Sequence, residues 1–205
     1  MGTKFSTRIW VSVVGIASIF LGSKGYADTV ISVADFGLKP DTRENAVAYV
    51  QKAIEACRGK EPVTLVFPEG RYDFWPQYAH EKNYYETNTY DVFPKRLAML
   101  FEGLHNITVD GNGSQFVMHD RIQPITVENC DGVTLKNFSI DWDIPLTAQA
   151  RVTKVGSDFF EIGINVLESP YIIEDGKLVF VGEGWKSALG SMIEFESDTH
   201  FVVPG

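Results

Sequence analysis

Cysteine is scarce in this sequence: Cys57 and Cys130 are the only two in 205 residues. One pair excludes the disulfide framework that small exported domains use. Each lies in an apolar pattern, so both read as small buried residues. Positive charge is scarce too, with 18 Lys and Arg against 27 Asp and Glu, a net −9. Without a basic stripe, phosphate-backbone binding is disfavoured and no nucleic-acid partner is expected. His80, His105, His119 and His200 show no metal-ligand spacing, so neither a metal nor another cofactor is expected. Gly111-Asn112-Gly113 opens no helix pattern and makes no phosphate loop. With no low-complexity run and 44% hydrophobic residues, disorder is not indicated.

A long enough apolar run is also missing. Ile9 to Leu21 is interrupted by Ser12, Gly15 and Ser18, and a spanning helix needs about 20 apolar residues. Lys4 and Arg8 precede that run, and Gly25-Tyr26-Ala27 follows it with small residues at the −3 and −1 positions. Residues 1–27 are therefore expected to be a Sec signal peptide cleaved before Asp28. The product would be periplasmic or extracellular and free of the membrane. Residues 1–27 carry positive charge only, so the remainder is more acidic than the whole chain. Such a chain suits neutral sugars, which need hydrogen bonds and aromatic faces rather than a charge field.

What is present alternates in short strands. After Val30 to Val33, Val47, Val50, Ile54 and Cys57 mark one face of a helix over about Glu44 to Arg58, with Asp41 and Glu44 at capping-box spacing. Leu104-His105-Asn106-Ile107-Thr108-Val109-Asp110-Gly111 is echoed 26 residues later by Cys130-Asp131-Gly132-Val133-Thr134-Leu135-Lys136-Asn137. Short strands at such a period stack into a solenoid, each rung burying its apolar pair against the next. A β-sandwich is the competing arrangement. After Pro145 the pattern changes to antiparallel hairpins, the clearest at the Asp175-Gly176 turn. The expected class is all-β: a right-handed parallel β-helix with an N-terminal capping helix over 28–146, then an antiparallel β-barrel-like insertion over 147–205. No terminal cap pattern precedes Gly205, so a longer parent protein is expected.

Two groups of residues are candidates for chemistry. The stretch 72–101 is rich in aromatics among polar residues, and Trp75, Tyr84 and Tyr85 are the expected sugar contacts. In Asp141-Trp142-Asp143, strand parity puts both carboxylates on the outer face, roughly 6–7 Å apart at about 3.3 Å per residue. An inverting glycosidase separates its acid and base carboxyls by roughly 6.5–9.5 Å. Any Asp-x-Asp on a strand has that spacing, and a solvated face is the ordinary alternative. Asp141, Trp142 and Asp143 are taken as substrate contacts. His119-Asp120-Arg121 falls at a turn where it could line a cleft.

Val33-Ala34-Asp35-Phe36-Gly37, Gln51-Lys52-Ala53-Ile54 and Val66-Phe67-Pro68-Glu69-Gly70-Arg71-Tyr72 resemble the opening of the pectate-lyase-like β-helix superfamily. A narrower resemblance runs through Phe74-Trp75-Pro76, Tyr84-Tyr85, Pro94-Lys95-Arg96, Asp110-Gly111-Asn112-Gly113-Ser114 and His119-Asp120-Arg121. It continues through Phe138-Ser139-Ile140-Asp141-Trp142-Asp143 and Pro145-Leu146-Thr147-Ala148-Gln149. Together these resemble the bacterial α-1,3-galactosidases, which remove terminal galactose from blood-group-B and linear α-1,3-galactose structures. The resemblance implies an exo-acting, inverting, metal-independent glycoside hydrolase with barrel insertions, acting on a galactose-terminated glycan. It also implies catalytic aspartates on later coils, beyond residue 205, so no catalytic residue is carried over. A glycan-binding β-helix without activity, or a polysaccharide lyase or hydrolase of the same superfamily, are the alternatives.

Overall fold

The computed structural model describes residues 29–84 and 94–203. The expected signal peptide and Tyr85 lie outside the described residues. Strand β1 (Thr29–Ser32) leads through a 3-10 turn at Val33–Phe36 to helix α1 (Val47–Cys57). There follow β2 (Val63–Val66), β3 (Arg71–Phe74), β4 (His80–Lys82), β5 (Lys95–Glu102), β6 (His105–Met118), β7 (Gln123–Glu128) and β8 (Asp131–Trp142). The last strands are β9 (Ala150–Val155), β10 (Phe160–Ile164), β11 (Tyr171–Glu174), β12 (Lys177–Gly182) and β13 (Trp185–Ala188).

The helix is shorter at its start than expected, and Asp41 does not cap it. Asp41 takes a left-handed backbone and accepts from the Arg71 amide at 2.9 Å. Asn45 does the capping, its Oδ1 accepting from Val47 N at 3.1 Å and satisfying one orphan donor of the first turn. Val47, Val50, Ala53, Ile54 and Cys57 are the buried face.

The principal sheet has five strands, all its pairings parallel. The 26-residue echo is realised here as register: Ile107 opposes Val133 and Val109 opposes Leu135. Leu65 and Val109 are fully buried, whereas Leu135, one strand further out, is 39% exposed. Burial fades because β8 has no strand on its far side among the described residues. Long β6 bends in its middle. Asp110 pairs with Lys136 and Ser114 with Phe138, so residues 111–113 bulge out of register. At the bend the Asp110 carboxylate accepts from Asn112 N at 2.9 Å and Asn137 Nδ2 at 3.0 Å. Gly111 is required there: a Cβ would stand 2.5 Å from Phe138 Cβ and 2.7 Å from the Asn137 carbonyl oxygen. Before the bend β6 pairs with β2, and beyond it with β3. Phe116 anchors the second limb, its ring 4.7 Å from Phe67 and 4.8 Å from Phe138.

The expected fold class needs correction beyond its all-β character. The described residues form four small sheets of mixed kind, not a closed parallel β-helix. In the second sheet β5 and β7 run parallel, but β4 joins β5 antiparallel. A solenoid requires each turn of chain to add a parallel strand to every face, which β4 does not. The expected barrel is not closed either. The hairpin β9–β10 forms one sheet and β11–β12–β13 another, all antiparallel and without a pairing between them. Their turns are as read: Asp175 and Gly176 both take positive φ, as a two-residue hairpin turn demands. Among the described residues no helix is long and apolar enough to cross a membrane.

Candidate functional site

Strand parity decides what lies above the second limb of the principal sheet. Phe116 opposes Tyr72 on one side and Ile140 on the other, and Met118 likewise opposes Phe74 and Trp142. The four residues Tyr72, Phe74, Phe116 and Met118 are buried in the core. The intervening residues Arg71, Asp73, Asp141 and the continuing Trp75, His119 and Asp143 therefore belong to the other face. Asp73 and His119 are nonetheless buried on that face, 1% and 2% exposed. They are roofed over by other parts of the chain.

Buried charge needs partners, and each is supplied. The Arg71 guanidinium donates from Nε to Asp73 at 3.0 Å and from Nη2 to Asp73 Oδ1 at 2.6 Å. The same Nη2 donates to Asp143 Oδ1 at 2.7 Å. Arg43 approaches both carboxylates, at 3.5 Å from Asp143 and 3.6 Å from Asp73. His119 stands between two acids, with Nε2 2.9 Å from Asp73 Oδ1 and Nδ1 2.8 Å from Glu183 Oε2. Trp75 stacks on the imidazole, ring centroids 3.8 Å apart and planes 10° off parallel.

These contacts set the protonation of the acids. The Arg71 hydrogen bond holds Asp143 below the ordinary carboxylate range. Burial pushes Asp73 upward, but the hydrogen bonds from Arg71 and His119 outweigh it and its carboxyl also ends below the usual value. Arg71 is held more firmly protonated, chiefly by its bond to Asp73. Asp73 and Asp143 are therefore acceptors and cannot serve as the protonated acid that glycoside cleavage needs. Asp73, His119 and Asp143 each offer one metal-ligand atom, mutually within 4.8 Å. The cationic position among those atoms is already taken by the Arg71 guanidinium, so the donor set does not fit a divalent ion without displacing it.

Beside this cluster opens a cleft of about 340 Å³. Its lining comes from three stretches: Asp141, Trp142 and Asp143; Pro145, Thr147 and Gln149; and residues 167–169. Gln149 N donates to Ser169 Oγ at 3.2 Å, which ties the second stretch to the third. Asp141 is exposed, its Oδ1 accepting from the Trp142 amide at 2.8 Å. Trp142 lines the cleft while its ring packs partly on the core, and Nε1 donates to the Asp120 carbonyl at 3.2 Å.

The structure thus gathers Asp141, Trp142 and Asp143 at one cleft and sets Trp75 behind it, against His119. Tyr84 is elsewhere. Its hydroxyl donates to Glu128, which also pairs with Lys82 at 2.9 Å, on the sheet of β4, β5 and β7. Arg43, Arg71, Asp73 and Glu183 were not picked out from the sequence. Arg71 and Asp73 carried a legible signal, alternation with the apolar Tyr72 and Phe74. Glu183, 64 residues from His119, carried none.

Comparison with known proteins places the chain among carbohydrate-active relatives. Residues 148–205 match a family model described as GLAA-B beta-barrel domain I. Alpha-1,3-galactosidase B of Bacteroides thetaiotaomicron is 60% identical over 178 residues, 87% of this chain and 29% of the relative. Alpha-1,3-galactosidase A of Shewanella woodyi is 36% identical over 169 residues, 82% of this chain and 28% of the relative. Alpha-1,3-galactosidase B of Phocaeicola vulgatus is 35% identical over 199 residues, 95% and 31%. The chain spans less than a third of the length of the relatives it matches.

Proposed function

We propose, on the premise that this chain is a homologue of the bacterial α-1,3-galactosidases over most of its length, that it is the glycan-contacting front part of an exo-acting glycoside hydrolase. The hydrolase releases terminal α-1,3-linked galactose, with inversion and without a metal, in an exported compartment. The observation that carries this reading is the cleft lined together by Asp141, Trp142, Asp143, Gln149, Glu168 and Ser169. A neutral sugar asks for such a set: acceptors for its hydroxyls, a few donors, and an indole edge for its C–H surface.

Within the cleft, Asp143 accepts from a sugar hydroxyl while Arg71 keeps it ionised and aimed. Asp141 accepts from a second hydroxyl. Asp73 and Asp143, both held toward the ionised form, are poorly suited to be the proton-donating acid, which is sought outside the cluster. The guanidinium seated between Asp73 and Asp143 supports a reaction without a metal here. A lyase for acidic sugars is disfavoured because Arg43 and Arg71 are neutralised by aspartates rather than left free for a substrate carboxylate.

The experiment follows galactose release from an α-1,3-linked disaccharide by proton NMR, in a chelator. Residues 28–205 should release no more than a blank. A protein of the relatives' length should give β-galactose as the first anomer. First appearance of the α-anomer, or loss of turnover in the chelator, would refute the inverting, metal-free reading. Turnover by residues 28–205 would place the catalytic pair inside them, with Asp141 and Asp143 as the leading candidates. Binding of the disaccharide at the cleft with no turnover by the long protein would favour a glycan-binding role.

A further inference from the structure

A second hollow lies on the other side of the Arg43 loop, between α1 and the turn that follows β3. It is an open hollow of about 370 Å³ lined by Glu44, Asn45, Ala48, Tyr49, Lys52 and Tyr78. Tyr78 is its unusual member. The residue takes φ 69°, a left-handed backbone that a bulky side chain rarely adopts, while its ring is 64% exposed. An exposed tyrosine gains nothing from the core to offset that strain, so the turn must be held from outside. Gln51 Nε2 donates to the Tyr78 carbonyl at 2.8 Å, and Asn45 Nδ2 donates to the Gln77 carbonyl at 2.9 Å. Ala79 N donates to the Pro76 carbonyl at 3.1 Å, closing the turn on itself. Three hydrogen bonds thus fix the backbone of the turn from which the Tyr78 side chain extends into solvent, beside the hollow that it lines with Tyr49. Strain held in place by surrounding structure is a mark of binding sites, and a fixed backbone lowers the entropy cost of presenting an aromatic face to a ligand.

We propose that this hollow is a second carbohydrate subsite, taking one neutral pyranose ring of an oligosaccharide. Tyr78 supplies the stacking face beside Tyr49, and Glu44 and Lys52 supply the groups for ring hydroxyls, while Asn45, its amide spent on the protein's own backbone, holds the turn. Lys52 and Glu44 cancel in charge, which suits a neutral sugar better than an acidic one. The subsite rests on the reading of the protein as acting on glycan. It shares a frame with the cleft, because Asn45 also accepts from Trp75 N at 3.2 Å and Trp75 stacks on His119. It would grip a sugar distant from the terminal galactose, or a second branch.

The test is an amide NMR titration of the full chain with a galactose-terminated α-1,3-linked trisaccharide and, separately, with methyl α-galactoside. The trisaccharide should move the amides of Ala48, Tyr49 and Tyr78 in a saturable way, and methyl α-galactoside should move chiefly those of 147–149 and 167–169. Tyr78→Gly keeps the left-handed backbone and removes the ring. It should weaken the response at Ala48 and Tyr49 by about tenfold and leave the cleft response unchanged. Tyr78→Phe keeps the face and should respond like the parent. Movement at the cleft alone, with both sugars, overturns the subsite and leaves the proposed function standing. Movement at Tyr49 and Tyr78 alone supports the subsite and removes the cleft. Movement at neither overturns both.

Discussion

Asp141 and Asp143 are two residues apart and would answer substitution differently. Asp141 is exposed and bonds only to the amide of its own neighbour, so Asp141→Asn should shift stability by less than about 0.5 kcal/mol. Asp143 is bonded to Arg71 in a partly solvated pair. Allowing for solvent screening, Asp143→Asn should cost about 1 kcal/mol, a fall in Tm of roughly 2–4 °C. Galactoside affinity measured on the same variants separates the two effects: both should lose about tenfold or more if each accepts from a sugar hydroxyl. Unchanged affinity in both would make these residues a solvated edge. Asp73 is the structural acid of the set. Its side chain is fully buried between Arg71 and His119, and Asp73→Ala should cost about 1–3 kcal/mol because it takes a buried hydrogen-bond partner from His119 and one of two from Arg71. Cys57 should resist thiol reagents in the folded protein, its thiol pushed up to about 11 by burial.

At the scale of elements, burial rather than residue type sets the cost of a change. Val109 and Leu135 oppose each other on β6 and β8. Val109→Ala, at a fully buried position, should cost about 2–3 kcal/mol, and Leu135→Ala, at a 39% exposed one, less than half as much. Chemical denaturation of the two variants checks the ratio, and equal costs would contradict the open edge of β8. The parallel register of β6 with β8 and both hairpins were legible, because an apolar pair repeated after 26 residues and an Asp-Gly turn each have one economical arrangement. The closure of those strands was not. Nothing in His80-Glu81-Lys82 announces that β4 will run antiparallel, and alternation in β9 to β13 specifies hairpins without saying which hairpin pairs with which. At the site, Asp141, Trp142 and Asp143 were legible as a run. The roof over Asp73 was not, because it is built from residues 43, 71, 119, 143 and 183, which share no local pattern. The partner of the Tyr84 hydroxyl, Glu128, is 44 residues away and left no local sign in the sequence.

For the whole molecule the cluster predicts sensitivity to acid. Asp73 and Asp143 both have folded values below the ordinary 3.8. A depressed carboxyl contributes stability that is full above its unfolded value and lost as pH falls through the folded one. Thermal stability should therefore decline from about pH 5 toward about pH 2, more steeply in the parent than in Asp143→Asn. Parallel curves for the two proteins would show that Asp143 is not held by Arg71.

The reach of that cluster also has a bearing on how the chain is made. Synthesis runs from the N-terminus, and β1, β2, α1 and β6 hold most of the apolar core within the first 118 residues. At that stage Arg71 has met Asp73 but not Asp143, and His119 has yet to be added. When His119 joins Asp73, Glu183 is still 64 residues from emerging. The greasy interior can settle as soon as its N-terminal segments are free to fold, whereas the charge balance over it is completed only when the second antiparallel sheet arrives. Until then a half-made molecule carries a finished floor beneath an unsealed, ionised chamber, and the segment that brings Glu183 is the one that locks it.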